Sequence, residues 1–248
     1  MNYNDELLKA AFVVDGRDNL PSHDTKVWAY RDPENLLGAV YHQSLEDYGL
    51  ASGNAKYHVG PNHISKTGLP GLSYTLFVEK TGNAILANNV EDKTYSQGYK
   101  DPEGRDENAL YIGVCFGGNF DAPGYRGTQI PTSAQILTAE LLWHHMAEIW
   151  GWRNLDLHGH YHFGKPTCPG NSLTEVISSI RGVYFDTVLE RQKALKALGF
   201  YKGTIDGMWG PVSKAALVEF QNSVGIEANG VWNEAVSEKA RDAMTVGV

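Results

Sequence analysis

Leu36-Leu37-Gly38-Ala39-Val40-Tyr41, closed by His42, is the stretch on which the fold class turns. A short uncharged apolar run of this length reads as a buried strand. Downstream of it, residues 49–71 are rich in Gly, Pro, Asn and His and lack periodicity. They read as one long ordered loop over a site, a length that calls for a functional reason. Residues 73–78 and 84–86 read as two strands joined by a turn at Lys80-Thr81-Gly82-Asn83. A further apolar run, 109–116, stops at Gly117-Gly118-Asn119. Residues 132–150 read as a helix, with Thr132 and Gln135 at capping-box spacing and Gly151 as its stop. Residues 154–157 form one more short strand, delivering His158, Gly159 and His160 to a loop, and 171–181 a second helix. Strands mixed with helices in this order predict one α/β domain over residues 1–182, a central, mostly mixed β-sheet flanked by helices.

The remainder is different in kind. Residues 187–198 read as a helix with Val188, Gln192, Leu195 and Leu198 along one face and Gly199 as its stop. Pro211 suits the first position of a helix carrying Ala215, Leu217, Phe220 and Val224, and residues 232–240 read as a third. This predicts a small all-α, three-helix domain over 186–248, with no Pro/Ser-rich linker before it.

The formal net charge of −8 makes nucleic acid a poor bulk partner. No run approaches the roughly 20 apolar residues of a membrane span, so no membrane insertion is expected. The start, Met1-Asn2-Tyr3-Asn4-Asp5-Glu6, has no basic region and no apolar segment of signal-peptide type behind it. The expectation is a protein made in the cytoplasm without an export signal.

Two cysteines are too few for a disulfide framework. Cys115 lies in an apolar run and reads as a small buried hydrophobe. Cys168 lies in a Pro/Gly-rich loop near several histidines. His42 and His160 both follow strand-like runs, where α/β folds present active-site groups. Two imidazoles and a thiolate, with one open position, suit catalytic zinc. His158 and His162 flank His160 and compete with it as ligands, whereas His144 and His145 lie mid-helix and read as packing or surface residues.

Five segments, in order, resemble the zinc amidases shared by phage endolysins and peptidoglycan recognition proteins. Val40-Tyr41-His42-Gln43-Ser44 is similar to their first-ligand strand, and Ser73-Tyr74-Thr75-Leu76-Phe77-Val78 with Lys80-Thr81-Gly82 to their next strand and hairpin. Ile112-Gly113-Val114-Cys115-Phe116-Gly117-Gly118-Asn119-Phe120 resembles a further strand, Thr132 and Gln135 open a matching helix, and Gly159-His160 through Cys168-Pro169-Gly170 resembles the closing motif. The resemblance implies an amidase/peptidoglycan recognition protein-like fold and one Zn2+ on His42, His160 and Cys168. It also implies hydrolysis of the amide between N-acetylmuramic acid and L-alanine in bacterial peptidoglycan. Tyr74 matches the tyrosine these enzymes place beside the metal, where a phenol can donate to the scissile carbonyl.

Two departures stand out. Pro166 occupies the place of a Lys or Thr helper, leaving its neighbours Lys165 and Thr167 as candidates, of which the charged Lys165 is the better oxyanion partner. Where another branch carries a glutamate, this chain has Val114-Cys115-Phe116, so no carboxylate general base is assigned. His58 and His63, before Tyr74, are candidates for substrate contact. Residues 186–244, above all Asp206-Gly207-Met208-Trp209-Gly210-Pro211, resemble the three-helix peptidoglycan-binding domain of cell-wall hydrolases. There Tyr201, Asp206 and Trp209 are the exposed candidates for glycan or stem-peptide contact. Together these imply a phage endolysin held in the host cytoplasm until release to the wall. A non-catalytic peptidoglycan binder and a zinc endopeptidase of stem peptides are the alternatives.

Overall fold

The computed structural model describes residues 1–98, 104–120, 129–181, 185 and 187–245. Residues 182 and 186, the expected domain edges, and 246–248 lie outside them. The chain divides into two compact units, Met1–Ile177 and Ser178–Val248. In the first unit the helices are α1 (Tyr3–Leu7), α2 (Ala51–Val59), α3 (Glu107–Leu110), α4 (Ser133–Trp150) and α5 (Asn171–Arg181), the last of which runs past the division. Its strands are β1 (Val13–Asp15), β2 (Ala29–Tyr30), β3 (Gly38–Gln43), β4 (Leu76–Val78), β5 (Ala84–Leu86), β6 (Asp92–Lys93), β7 (Tyr111–Phe116) and β8 (Leu157–Gly159). Six strands form a mixed sheet in the order β1-β5-β4-β7-β3-β8, antiparallel only where β4 meets β5, and β2 pairs with β6 apart from it.

The apolar run that opened the sequence reading is β3, buried along its whole length at the sheet's interior. Because side chains alternate across a strand, the register sorts the chemistry. His42 lies opposite Cys115, which lies opposite Phe77, so these three share one row on one face. Ala51 and Ala55 of α2 pack with Phe77 and Cys115 on that face. Tyr41 points the other way, where its hydroxyl donates to the Ala139 carbonyl of α4 at 2.7 Å and its ring meets Phe116. The sheet thus has a helix on each side, with His42 on the α2 side.

Helix α4 carries the capping box expected of Thr132 and Gln135 and ends on Gly151 in the left-handed region. The expectation of one long loop over 49–71 is corrected by α2. Its buried face is Ala51, Asn54, Ala55 and His58, and its N-cap, Leu50, makes no capping bond. Small and polar residues at helical spacing give no apolar stripe, so the periodicity was invisible.

The second unit holds α6 (Val188–Ala197), α7 (Pro211–Ser223) and α8 (Glu234–Thr245) around Leu195, Leu217, Phe220, Val236 and Ala240. Two loops in it are built alike. The Gln192 side-chain Oε1 accepts from Gly207 N at 2.9 Å, while its Nε2 donates to Asp206 Oδ1 and the Met208 carbonyl. Gln221 does the same with Gly230 N, Asn229 Oδ1 and the Val231 carbonyl. Both glycines have positive φ, 72° and 68°, which this tight turn requires. Tyr201, expected to be exposed, is buried at 5 %, because its hydroxyl completes the first clamp between Gln192 and the Thr204 carbonyl. Asp206 is exposed but caps its own turn through Met208 N, and Trp209 is half-buried against Trp232.

Candidate metal centre

Strands β3 and β8 run parallel, and both His42 and His160 sit at their C-terminal ends. Cys168 is brought back by a loop tied to itself: Tyr161 N donates to the Cys168 carbonyl at 2.8 Å, and Cys168 N to the Lys165 carbonyl at 2.9 Å. Gln43, the last residue of β3, pins this loop by donating to the Thr167 carbonyl at 2.9 Å, while its oxygen accepts from Phe120 N. The result is a cluster in which one ligand atom each of His42, His160 and Cys168 lies within 4.8 Å of the others.

His42 Nδ1 and His160 Nδ1 are 3.1 Å apart, and Cys168 Sγ is 4.0 Å from His42 Nδ1. Two nitrogens and a sulfur around tetrahedral zinc would be about 3.3 Å and about 3.6 Å apart, so the donor set fits that ion. The tautomer also fits. His160 Nε2 is 3.0 Å from the Gln97 carbonyl, which can only accept, so the proton sits on Nε2 and Nδ1 keeps a lone pair. Burial, then the neighbouring His160, holds the His42 imidazole well below its usual range. Burial likewise brings His160 down to about 4, with the Lys165 charge adding to it. Both rings are therefore neutral donors at neutral pH. Burial pushes the Cys168 thiol up to about 12, a value that a bound cation would reverse.

Tyr74 lies against this cluster, its ring centroid 5.1 Å from that of His42. Burial and the adjoining Cys115 and Cys168 keep its phenol protonated far above the usual range, so it is a donor. Lys165 is exposed, yet its charge reaches both His160 and Cys168; Thr167 is half-buried and offers its carbonyl to Gln43. His158 and His162 stack on each other at 4.3 Å, His158 against Tyr111, and stand outside the cluster. His144 is exposed, and His145 bonds the Glu6 carbonyl.

A cleft of about 610 Å³ adjoins the cluster at Gln43 and Tyr74 and is walled by α2 and the loop after β3. His58 and His63 both line it. His58 is buried, accepts from Ser73 N at 3.2 Å, and is lowered to about 4 by burial and by His63; His63 is exposed and bonded to the Tyr57 hydroxyl at 2.5 Å.

Gln97 was not legible beforehand, since it acts through a carbonyl that any residue has. Gly113 explains how it gets there. A Cβ at Gly113 would stand 2.2 Å from Ser96 Oγ and 2.7 Å from Ser96 Cβ, so the segment lies directly on the sheet. Gly113→Ala is expected to displace Ser96-Gln97, weaken zinc binding about tenfold by loosening the support of His160, and cost about 1–3 kcal/mol. Competition with a chelating dye measures the first, and unchanged affinity would refute this role.

No curated protein matches the sequence. Residues 186–239 match the family model described as "Putative peptidoglycan binding domain". Among solved structures, a selenomethionine derivative of AmpD aligns with a TM-score of 0.52 and 18% identity over 68% of this chain and 94% of that one. Peptidoglycan recognition protein-LE, solved with tracheal cytotoxin, aligns with a TM-score of 0.51 and 16% identity over 68% and 94%. The endolysin N-acetylmuramoyl-L-alanine amidase LysCS from Clostridium intestinale URNW gives 0.49 and 18% over 67% and 93%. The first unit therefore has the amidase/peptidoglycan recognition protein fold, and the second contains the stretch that is similar to the putative peptidoglycan-binding domain.

Proposed function

We propose that this protein is a zinc-dependent N-acetylmuramoyl-L-alanine amidase whose C-terminal three-helix domain, residues 186–248, holds it on bacterial peptidoglycan. The observation that carries the reading is the convergence of His42 Nδ1, His160 Nδ1 and Cys168 Sγ at the strand ends of this fold. A zinc ion held by these three residues supplies Lewis-acid polarisation of a carbonyl and activation of water. The chain's own groups do the rest. Tyr74 donates its O–H to the scissile carbonyl oxygen as that atom gains charge, and the Lys165 ammonium, whose charge is felt at His160 and Cys168, adds positive potential. Gln43 and the Gln97 carbonyl hold Cys168 and His160 in place. His58 and His63 meet the substrate along the cleft, with Thr167 at the metal end; Asp206 and Trp209 are proposed to meet the wall polymer in the second unit.

Digestion of purified walls, followed by mass spectrometry, tests the bond. The reading requires new muramic acid lactyl groups paired with free L-alanine amino termini. Cleavage within stem peptides would make the protein an endopeptidase, and intact walls with zinc-loaded protein would make it a binder. Tyr74→Phe is expected to lower kcat by about a hundredfold or more, the cost of one lost oxyanion donor, with zinc content unchanged. A smaller effect than tenfold would remove Tyr74 from this role. The proposal extends to an endolysin's task, checked by lysis of bacteria exposed to the added protein.

A further inference from the structure

The cleft beside the metal cluster has a composition that the reaction alone does not explain. Its walls expose Leu45, Leu50, Ile64, Tyr48 and Tyr57, at 46 %, 49 %, 49 %, 84 % and 46 %. Among the described residues, one ionisable acid, Glu46, lines it, and none of the lining residues is Lys or Arg. Glu46 is fixed there: its carboxylate accepts from Tyr48 N and Gly49 N, each at 2.7 Å, from Asn54 Nδ2 at 3.1 Å and from Ser44 Oγ at 3.2 Å. Four donors hold the charge in place, and none of them is a cation. Lys80, on the neighbouring hairpin, bonds the Asp47 carbonyl and is not part of the lining.

An anion entering this cleft away from its metal end would leave water for an apolar wall with the fixed charge of Glu46 beside it, and no described lysine or arginine of the lining offsets that charge. Aliphatic walls, by contrast, suit the methyl and methylene groups of a short peptide. Resting on the amidase reading above, we infer that the cleft receives the stem peptide and selects stems whose carboxyl groups are neutral carboxamides over stems bearing free carboxylates. Leu45, Leu50 and Ile64 cover the aliphatic groups, and Glu46 repels the free acid.

The test uses two soluble N-acetylmuramoyl peptides of one stem sequence, one with free carboxylates and one with carboxamides in their place. Dissociation constants are measured by calorimetry on the full chain without added zinc, so that binding is read apart from hydrolysis. The carboxamide is expected to bind roughly tenfold tighter, the size of a screened interaction between unit charges across a cleft. The preference should shrink as salt is raised. Gly53→Lys places a cation on the wall. Gly53 lines the cleft on the exposed side of α2, and a Cβ there meets nothing within 4 Å, so the change suits the helix. It is expected to bring the acid's affinity to within about threefold of the carboxamide's. Equal affinities in the unchanged protein, tighter binding of the acid, or no binding of either would overturn the inference. A binding preference without hydrolysis on zinc addition would instead count against the amidase reading and leave the selectivity standing.

Discussion

Cys168→Ser is expected to leave the protein without zinc after dialysis and to lower amidase turnover by well over about a hundredfold, since changes to outer-shell partners alone reach that size. Thiolate is the softest of the three donors and the one that carries charge. A serine hydroxyl there would keep its proton and offer a poor ligand. The argument predicts a proton count as well. With the thiol pushed up to about 12 and His160 down to about 4, the metal-free site at pH 7 holds one proton that zinc must displace, from sulfur. Calorimetry in buffers of different ionisation enthalpy should give one proton released per zinc, and none for the serine variant. The linkage has a definite sign. A folded thiol at about 12 against an ordinary 9.0 means that the unfolded chain binds fewer protons between those values, so the metal-free protein loses stability as pH rises through that window. Zinc should abolish that loss. Full zinc content and activity in Cys168→Ser would show that the cysteine is not a ligand.

Arg31→Met is expected to cost about 3–5 kcal/mol of stability, the penalty for breaking a buried, fully bonded charge. Arg31 is 3 % exposed, and its guanidinium donates to the carbonyls of Val90 at 2.7 Å, Asn108 at 3.1 Å and Tyr111 at 2.8 Å, and to Thr75 Oγ1 at 2.8 Å. Those acceptors come from the residue before β4 (Thr75), the β5–β6 connection (Val90), and α3 and β7 (Asn108 and Tyr111), so one side chain ties together segments of the sheet that carries the site. Burial lowers its pKa to about 10, with Asp92 and Glu91 opposing the shift, and it stays charged at neutral pH. Methionine would leave three carbonyls and a hydroxyl without their donor. Arg31→Lys should recover little, because an ammonium cannot span four acceptors in the guanidinium's plane. Urea denaturation reads both variants; losses under about 1 kcal/mol would show that water replaces the guanidinium.

Arg31 also marks where sequence reading stops. It stands between short polar segments, and nothing nearby in the chain hints that its partners come from residues 75, 90, 108 and 111. What could be read was local: β3 from its apolar run, the hairpin from its turn, α4 from its capping box and Gly151, and the cysteine loop from its fixed spacing. What could not be read was non-local or chemically anonymous. Helix α2 buries alanines, an asparagine and a histidine rather than a stripe of leucines. Gln97 supports His160 through a carbonyl. Tyr201 looked like a surface ring until Gln192 closed on its hydroxyl. His158 and His162 flank His160 as rivals, although the eight-residue spacing to Cys168 favours His160. Strand β8 pairs with β3 as far as Gly159 opposite Tyr41, so His160 and His42 each follow directly on that pair, while His158, opposite Val40, packs against Tyr111.

X-ray absorption at the zinc edge of the full-length, zinc-loaded protein tests the central claim most directly. Coordination by His42, His160 and Cys168 predicts one sulfur at about 2.3 Å and two imidazole nitrogens at about 2.0 Å, completed by a light oxygen-type atom. A zinc shell of nitrogen and oxygen alone, or a protein that takes up no zinc, would contradict it.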